Sequence, residues 1–339
     1  MAPTATARSF VNTVAVLAVA MPLALVAAAP AQAQAAPPAG DVQYKADDIV
    51  LDDEKGLLKA TGHVWLDNGA GLQLRADALT LQLQEDNSVD WARVTGNVRL
   101  ERGKPGAPDY LLVTGARAYY QEAKRQAELE GNVRALISSE RLARPAMMSG
   151  ARIELALDEE VYIVRGGSGA PARIEVQPLG KAGKPKPGAA VLAGTTITLN
   201  HQSMSAVATG KPSLIQDDWR LTGDTIRFQV DEKTHEIRQA QITGNVVCDG
   251  KDKRGSRVHA TSQNAVFDGE TRLLTLTGKV ELQRTAPGAD QPSLYRGTGV
   301  TYNVDTGAAR AKGAMGVIRR KRPAKPKSPA APPKPQSRQ

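Results

Sequence analysis

The sequence predicts an all-β fold, an elongated antiparallel β-jellyroll or bent β-sandwich built of about eight two-strand repeats. Three observations predict it. A glycine-centred element recurs along the chain, apolar residues alternate with a period of two, and the phase of that alternation changes at a fixed place in every second strand.

The recurring element reads Ala60-Thr61-Gly62-His63-Val64, Val94-Thr95-Gly96-Asn97-Val98, Leu129-Glu130-Gly131-Asn132-Val133, Ile242-Thr243-Gly244-Asn245-Val246 and Leu276-Thr277-Gly278-Lys279-Val280. Weaker copies fall at Gly166, Gly210 and Gly313. The spacing between successive glycines is 34 or 35 residues, except for one step of 44 between Gly166 and Gly210. A fixed period of this size is the mark of stacked units that each touch only their neighbours. The long step contains Pro178-Leu179-Gly180-Lys181-Ala182-Gly183-Lys184-Pro185-Lys186-Pro187-Gly188, whose composition predicts a linker over 178–190 between a first half, 42–177, and a second, 191–318.

Within a unit, Leu58, Ala60, Gly62, Val64 and Leu66 alternate with polar residues, as do Ala92, Val94, Gly96, Val98 and Leu100. That is the period of a strand with one apolar face. Clusters such as Asp52-Asp53-Glu54-Lys55-Gly56, Asp67-Asn68-Gly69, Glu85-Asp86-Asn87-Ser88, Asp268-Gly269 and Asp305-Thr306-Gly307 supply the turns, because Asn, Asp and Gly tolerate left-handed backbone. Each unit is thus an antiparallel strand pair.

The phase change is seen where Leu74 and Ala76 give way to Leu79, Leu81 and Leu83, and at Tyr44-x-Ala46-x-x-Ile49, Val113-x-Gly115-x-x-Ala118, Met148-x-Gly150-x-x-Ile153, Leu192-x-Gly194-x-x-Ile197, Leu221-x-Gly223-x-x-Ile226 and Tyr295-x-Gly297-x-x-Val300. One unit, framed as Val258-x-Ala260-x-x-Gln263, departs by placing Gln where an apolar residue is expected. A slip of one residue would turn every apolar side chain outward unless the strand bends or bulges there. Aligned corners in stacked units predict two facing sheets joined along a crease, with an apolar inside.

Residues 1–35 read as a cleavable export signal, with Arg8 as the only charge, an apolar run from Phe10 to Ala29, and Ala-x-Ala sites ending at Ala33 and Ala35. The competing reading is a retained anchor, since Val11 to Ala29 is nearly long enough to span a bilayer. Cys248 is the only cysteine, so no internal disulfide contributes. The formal charge of +9 is concentrated in the ends: Arg319, Arg320, Lys321 and Arg322 open a basic, Pro-rich tail over 319–339 that carries +8, and Arg8 adds one, leaving 9–318 neutral. A neutral body with few aromatics argues against nucleic acid as a partner. The tail is expected to be disordered, with attraction to anionic lipid phosphates as its functional reading.

Little in the chain suggests an enzyme. His63, His201, His235 and His259 lack metal-ligand spacing, and Cys248 alternates in phase with Ile242, Gly244 and Val246 as a small buried hydrophobe. Carboxylates at Asp47-Asp48, Asp52-Asp53-Glu54 and Asp158-Glu159-Glu160 fit turns and corners. Gly166-Gly167-Ser168-Gly169 precedes no helix that could offer its N-terminus to a phosphate. No metal or cofactor is expected, and paired acids among Asp47, Asp158 and Asp224 would be required for polysaccharide cleavage.

The string Tyr44-Lys45-Ala46-Asp47, Lys59-Ala60-Thr61-Gly62-His63-Val64-Trp65-Leu66, Leu74-Arg75-Ala76-Asp77 and Val94-Thr95-Gly96-Asn97-Val98 resembles the OstA-like repeat of the LptA/OstA lipopolysaccharide-transport family, found also in LptC and the soluble part of LptD. The resemblance covers residues from about 42 to 318, twice the length of a single OstA-like domain. It implies a periplasmic, non-enzymatic protein whose interior holds lipopolysaccharide or a related amphiphile on its way toward the outer membrane. It implies as partners other OstA-like proteins joined by edge-strand pairing, or further copies of this chain. The inward positions expected to line the groove are Val64, Leu66, Leu79, Leu81, Val94, Val98, Val133, Ile226, Phe228, Ile242, Val246, Leu276 and Val280. The alternative is a structural envelope rod whose core is simply closed.

Overall fold

The computed structural model describes residues 43–317 apart from 68–70, 86–88, 109, 139, 141, 178–188, 232–236, 290 and 314. The expected signal, the linker except Ala189 and Ala190, and the tail with Arg319, Arg320, Lys321 and Arg322 lie outside the described residues.

The described residues form strands and turns with no helix. β1 (Gln43–Lys45) and β2 (Asp48–Asp52) are followed by the long strands β3 (Leu57–Asp67), β4 (Leu72–Leu83), β5 (Val89–Arg102), β6 (Leu111–Gln121), β7 (Gln126–Ile137) and β8 (Ala146–Ala156). Short strands come next: β9 (Val161–Arg165), β10 (Ala172–Val176), β11 (Ala190–Gly194), β12 (Thr196–Asn200), β13 (Ser205–Thr209), β14 (Ser213–Gln216), β15 (Trp219–Thr222) and β16 (Thr225–Val230). The chain then returns to long strands in β17 (Ile237–Lys251), β18 (Arg257–Asp268), β19 (Leu273–Thr285) and β20 (Ser293–Asn303), and ends in β21 (Ala309–Lys312) and β22 (Met315–Val317).

All pairings are antiparallel, and short strands replace the halves of long ones. β8 pairs through Arg152–Ala156 with β9 and through Met147–Ser149 with β10. From there two lanes run side by side, β9, β12, β13, β16 in one and β10, β11, β14, β15 in the other, and both rejoin on β17. The ladder therefore continues unbroken past 178–188, giving sixteen strand positions, six of them split in two. This is the all-β, eight-hairpin architecture that the glycine spacing predicts.

The crease explains the phase change. Thr61 pairs with Ala78 and Val64 with Ala76, so Gly62 and His63 together oppose the single residue Asp77. A two-against-one bulge keeps the phase of the strand that supplies two residues and slips that of its partner by one, while sharpening the local bend. Both bulge residues are left-handed, with φ of 72° at Gly62 and 46° at His63, and the pattern repeats at Gly96-Asn97, Gly131-Asn132, Gly210-Lys211, Gly244-Asn245 and Gly278-Lys279. Glycine is required at the first of each pair for a second reason, since a Cβ at Gly96 would collide with the Asp77 carboxylate. Gly166 departs from the pattern: its φ is not positive, and a short connection to β10 replaces the bulge.

One frame read from the sequence needs correction. In β18 the corner lies at Ser262-x-x-Ala265, with Gln263 in the place that Asp77 takes in β4, and not at Val258-x-Ala260-x-x-Gln263. Ser262 and Ala265 are both buried, so this unit follows the rule two residues later than the apolar pattern suggests.

Candidate functional site: the apolar interior

The bend brings the inner faces of the two half-sheets together around one contiguous core that runs from Ala60 to Val304. Leu66, Leu111, Val113, Ala135, Val164, Ile197, Ile226, Ile242 and Leu276 are essentially without solvent contact. Of the thirteen positions expected to line a groove, twelve are buried in this core and Phe228 is half-buried against it. The lining is aliphatic, as the alternation requires. It differs from an open trough in that the facing side chains meet and exclude solvent along most of the length.

Among the described residues Asp252 is the one charged side chain in the buried set, which otherwise holds Ser256 and Ser262 as its polar members. Asp252 stands in the turn between β17 and β18 and reaches β20 on the opposite lip of the interior. Its Oδ2 accepts from the Tyr302 hydroxyl at 2.9 Å and from Arg284 Nη2 at 3.1 Å, and its Oδ1 accepts the backbone N–H groups of Ser256 and Arg254 at 2.8 and 3.0 Å. Burial alone would push this carboxyl up, but the Ser256 N–H, the Tyr302 hydroxyl and the Arg284 guanidinium outweigh it and hold the pKa below the ordinary carboxylate value. Burial beside this carboxylate pushes the Tyr302 hydroxyl pKa upward, so it stays a donor. Lys253 adds a second fastening across the mouth, 2.7 Å from Asp305. The sequence does not single out Asp252, because nothing local announces that β20 faces it.

Trp219 lies beside this latch, 6.1 Å from the Tyr302 ring between centroids. Gly250 makes room for it, since a Cβ there would collide with the indole.

The remaining chemistry is dispersed. His63 Nδ1 and Asp47 Oδ2 are 2.8 Å apart on the exposed crease, and the Asp47 carboxylate raises the His63 pKa. Asp224 accepts from Asn245 on the crease of the second half, while Asp158 meets Arg125 at a hairpin turn, so the three acids considered for sugar chemistry are not brought together. Among the described residues no three His, Cys, Asp or Glu side chains cluster to hold a metal ion. Cys248 is fully buried, and burial pushes its thiol up to about 12. Alkylation of native protein with iodoacetamide should therefore leave Cys248 unmodified at neutral pH, with labelling only after denaturation; mass spectrometry of both samples checks this.

Among the described residues, no further strand pairs with either end of the ladder. β1 and β2 pair only with β3, and β21 and β22 only with β20. At the first end Tyr44, Ile49 and Leu51, opposite the inward residues Leu66, Ala60 and Leu58, are 55%, 39% and 54% exposed.

No curated protein sequence matches the chain. Among solved structures it is similar to LptH, the LptA-homologous periplasmic component of the lipopolysaccharide transport device of Pseudomonas aeruginosa, at 15% identity and a TM-score of 0.31, over 44% of this chain and 92% of that one. The extracellular domain of a one-component system from B. thetaiotaomicron gives 10% identity and a TM-score of 0.10, over 80% of this chain and 78% of that one. Neither likeness bears on function. The profile of a family described as LptA/(LptD N-terminal domain) LPS transport protein matches residues 43–161 and again 192–308, one stretch on each side of the Pro/Gly/Lys segment. With well over half of its residues matched, and in two consecutive copies, this chain belongs to the LptA/(LptD N-terminal domain) LPS transport protein family.

Proposed function

We propose that the chain is a periplasmic carrier that takes lipopolysaccharide, or a related amphiphile, by its acyl chains into the apolar interior and passes it toward the outer membrane. The observation that supports this reading is the single, largely aliphatic core running through fourteen strand positions, with apolar side chains exposed at its first end among the described residues. Each methylene moved from water into such a lining gains about 0.8 kcal/mol, so several acyl chains are held by burial alone. Transfer then requires a neighbouring site of similar affinity, not a chemical step. The edges of β1 and β2 and of β21 and β22, which pair on one side only among the described residues, are suited to pairing with another strand, from a relative or a second copy. Export by a cleaved leader over 1–35 and attraction of Arg319, Arg320, Lys321 and Arg322 to anionic headgroups complete the proposal.

The tight packing of the interior favours a second reading, a closed β-repeat rod that spaces or scaffolds the envelope. Photo-crosslinking separates the two. A carrier is expected to give lipopolysaccharide adducts from probes at Leu81 and Val246 and none from a probe at His63 on the crease. Adducts at His63 alone, or protein that emerges free of lipid in native mass spectrometry of an envelope extract, would favour the rod.

A further inference from the structure

The two halves differ on their outer surface. The half-sheet that contains β9, β12, β13 and β16 also holds the matching halves of the long strands. In its first part the outward charges are paired, Arg117 with Glu130, Arg152 with Glu128 and Arg165 with Glu154, at 3.2, 2.7 and 2.8 Å. Beyond β9 the composition changes. From β12 to β20 its outward positions are held by Thr, Ser, Asn, Gln and a few apolar residues, with Arg227 and Asp268 as the charged ones among the described residues. Asp268 accepts the Thr271 N–H at 2.8 Å and so belongs to its own turn.

The register sets these side chains in rows across the strands. Ser205, Gln229 and Gln239 form one row, and Val207, Arg227 and Gln241 the next. Neighbouring members of a row stand about 4.8 Å apart. β17 carries one extra residue, Arg238, opposite the step from Gln229 to Val230, and a bulge of this kind increases the local twist. These six residues line a hollow of about 270 Å³ in the outer surface, large enough in volume for a sugar ring. Among the described residues, Arg227, Gln229, Gln239 and Gln241 are exposed and make no side-chain hydrogen bond or ion pair.

Their chemistry says what fits. A side-chain amide offers two donors and an acceptor, and a sugar hydroxyl is donor and acceptor at once, so three amides around one hollow suit a polyol better than a simple ion. A guanidinium with no acid of its own calls for an anion, and its planar fork matches a carboxylate or a phosphate. Val207 gives the C–H face of a ring an apolar contact. We infer that this hollow binds an acidic glycan, with Gln229, Gln239 and Gln241 bonding hydroxyl or acetamido groups and Arg227 holding a carboxylate or phosphate borne by the same chain. The site lies on the outer surface and is independent of what occupies the interior.

Two sources carry that chemistry, the glycan of the cell wall and the saccharide part of lipopolysaccharide. The full chain is therefore titrated against two end-labelled probes, with fluorescence anisotropy as the readout. One is peptidoglycan glycan strands stripped of their peptides, which bear lactyl carboxylates. The other is lipopolysaccharide saccharide freed of all acyl chains, which bears phosphates and sugar-acid carboxylates and cannot report on the interior. Saturable binding is expected, and the probe that binds identifies the source; binding of both would mean that the shared chemistry suffices. Arg227→Ala should weaken binding about tenfold, the change produced by losing one charge-assisted hydrogen bond, and Gln239→Ala/Gln241→Ala by at least as much. Neutral chitohexaose should bind more weakly and respond to the amide substitutions but not to Arg227→Ala. Arg117→Ala, on the outer surface of the first half, should change nothing, and circular dichroism checks the fold of every variant.

Absence of saturable binding to both probes, or binding that Arg227→Ala and the double substitution leave unchanged, would overturn the site. Displacement by polyglutamate as effective as that by unlabelled glycan would overturn the glycan assignment and leave a plain anion site.

Discussion

Asp252→Ala should destabilise the protein by about 3–5 kcal/mol, the usual cost of removing one partner from a buried ion pair and leaving the other uncompensated. The Asp252 side chain has no solvent exposure and that of Arg284 is 25% exposed, so screening by water weakens this pair little. Tyr302 and Ser256 would lose their acceptor at the same time. Asp252→Asn keeps the shape but removes the charge, and it should fall between Ala and the parent in urea denaturation. The pH dependence has a definite sign. Because the folded pKa lies below the unfolded value of about 3.9, this contribution is complete above that value and is lost as pH falls through the folded pKa. The parent should lose stability on acidification in that window, and the Asn variant should lack this component. Equal urea midpoints for parent and Ala variant at neutral pH would show that the latch contributes nothing.

Ile226→Ala should cost about 2–5 kcal/mol, through lost burial and the cavity left behind. Ile226 has no solvent exposure and pairs across the ladder with Ala208 and Ile242, both buried. The adjacent outward residue supplies the control. Arg227→Ala lies on the exposed face and should change stability by no more than about 0.5 kcal/mol. The pair tests the phase of β16 directly, because a register one residue different would exchange the two outcomes.

Much of this arrangement can be read from the chain before any coordinates. Alternation identifies the strands, and the Gly-Asn and Gly-His pairs mark the crease, because so few residues other than Gly and Asn accept left-handed backbone. The phase slip at Ala76 to Leu79 follows from a bulge of two residues against one, so both partners of each corner leave a trace in the sequence. The misplaced frame in β18 has a simple cause: Ser262 puts a polar residue at an inward position, so the apolar rhythm is lost two residues before the true corner.

What faces what across the interior is different in kind. Which half-strand lies opposite which depends on the inclination of the two sheets, and that leaves no periodic signature. Asp252 and Trp219 therefore carry no signal in the sequence, and the degree of closure stays open there between trough and rod. Phe228 illustrates the limit. Its phase places it inward correctly, yet its half-exposed state follows from pairing with Ala206 and Ala240, whose small side chains cannot cover it.

The repeated bulge has a consequence for size. Since six of the hairpins share one left-handed corner and all bond only to adjacent strands, inserting or removing a whole hairpin of that kind preserves the direction of the bend and changes only the span. At about 4.8 Å per strand, each hairpin contributes close to 10 Å, and sixteen positions reach about 75 Å. Duplication of gene segments in steps of one hairpin would thus act as a ruler, setting the length of such a molecule without redesigning its cross-section.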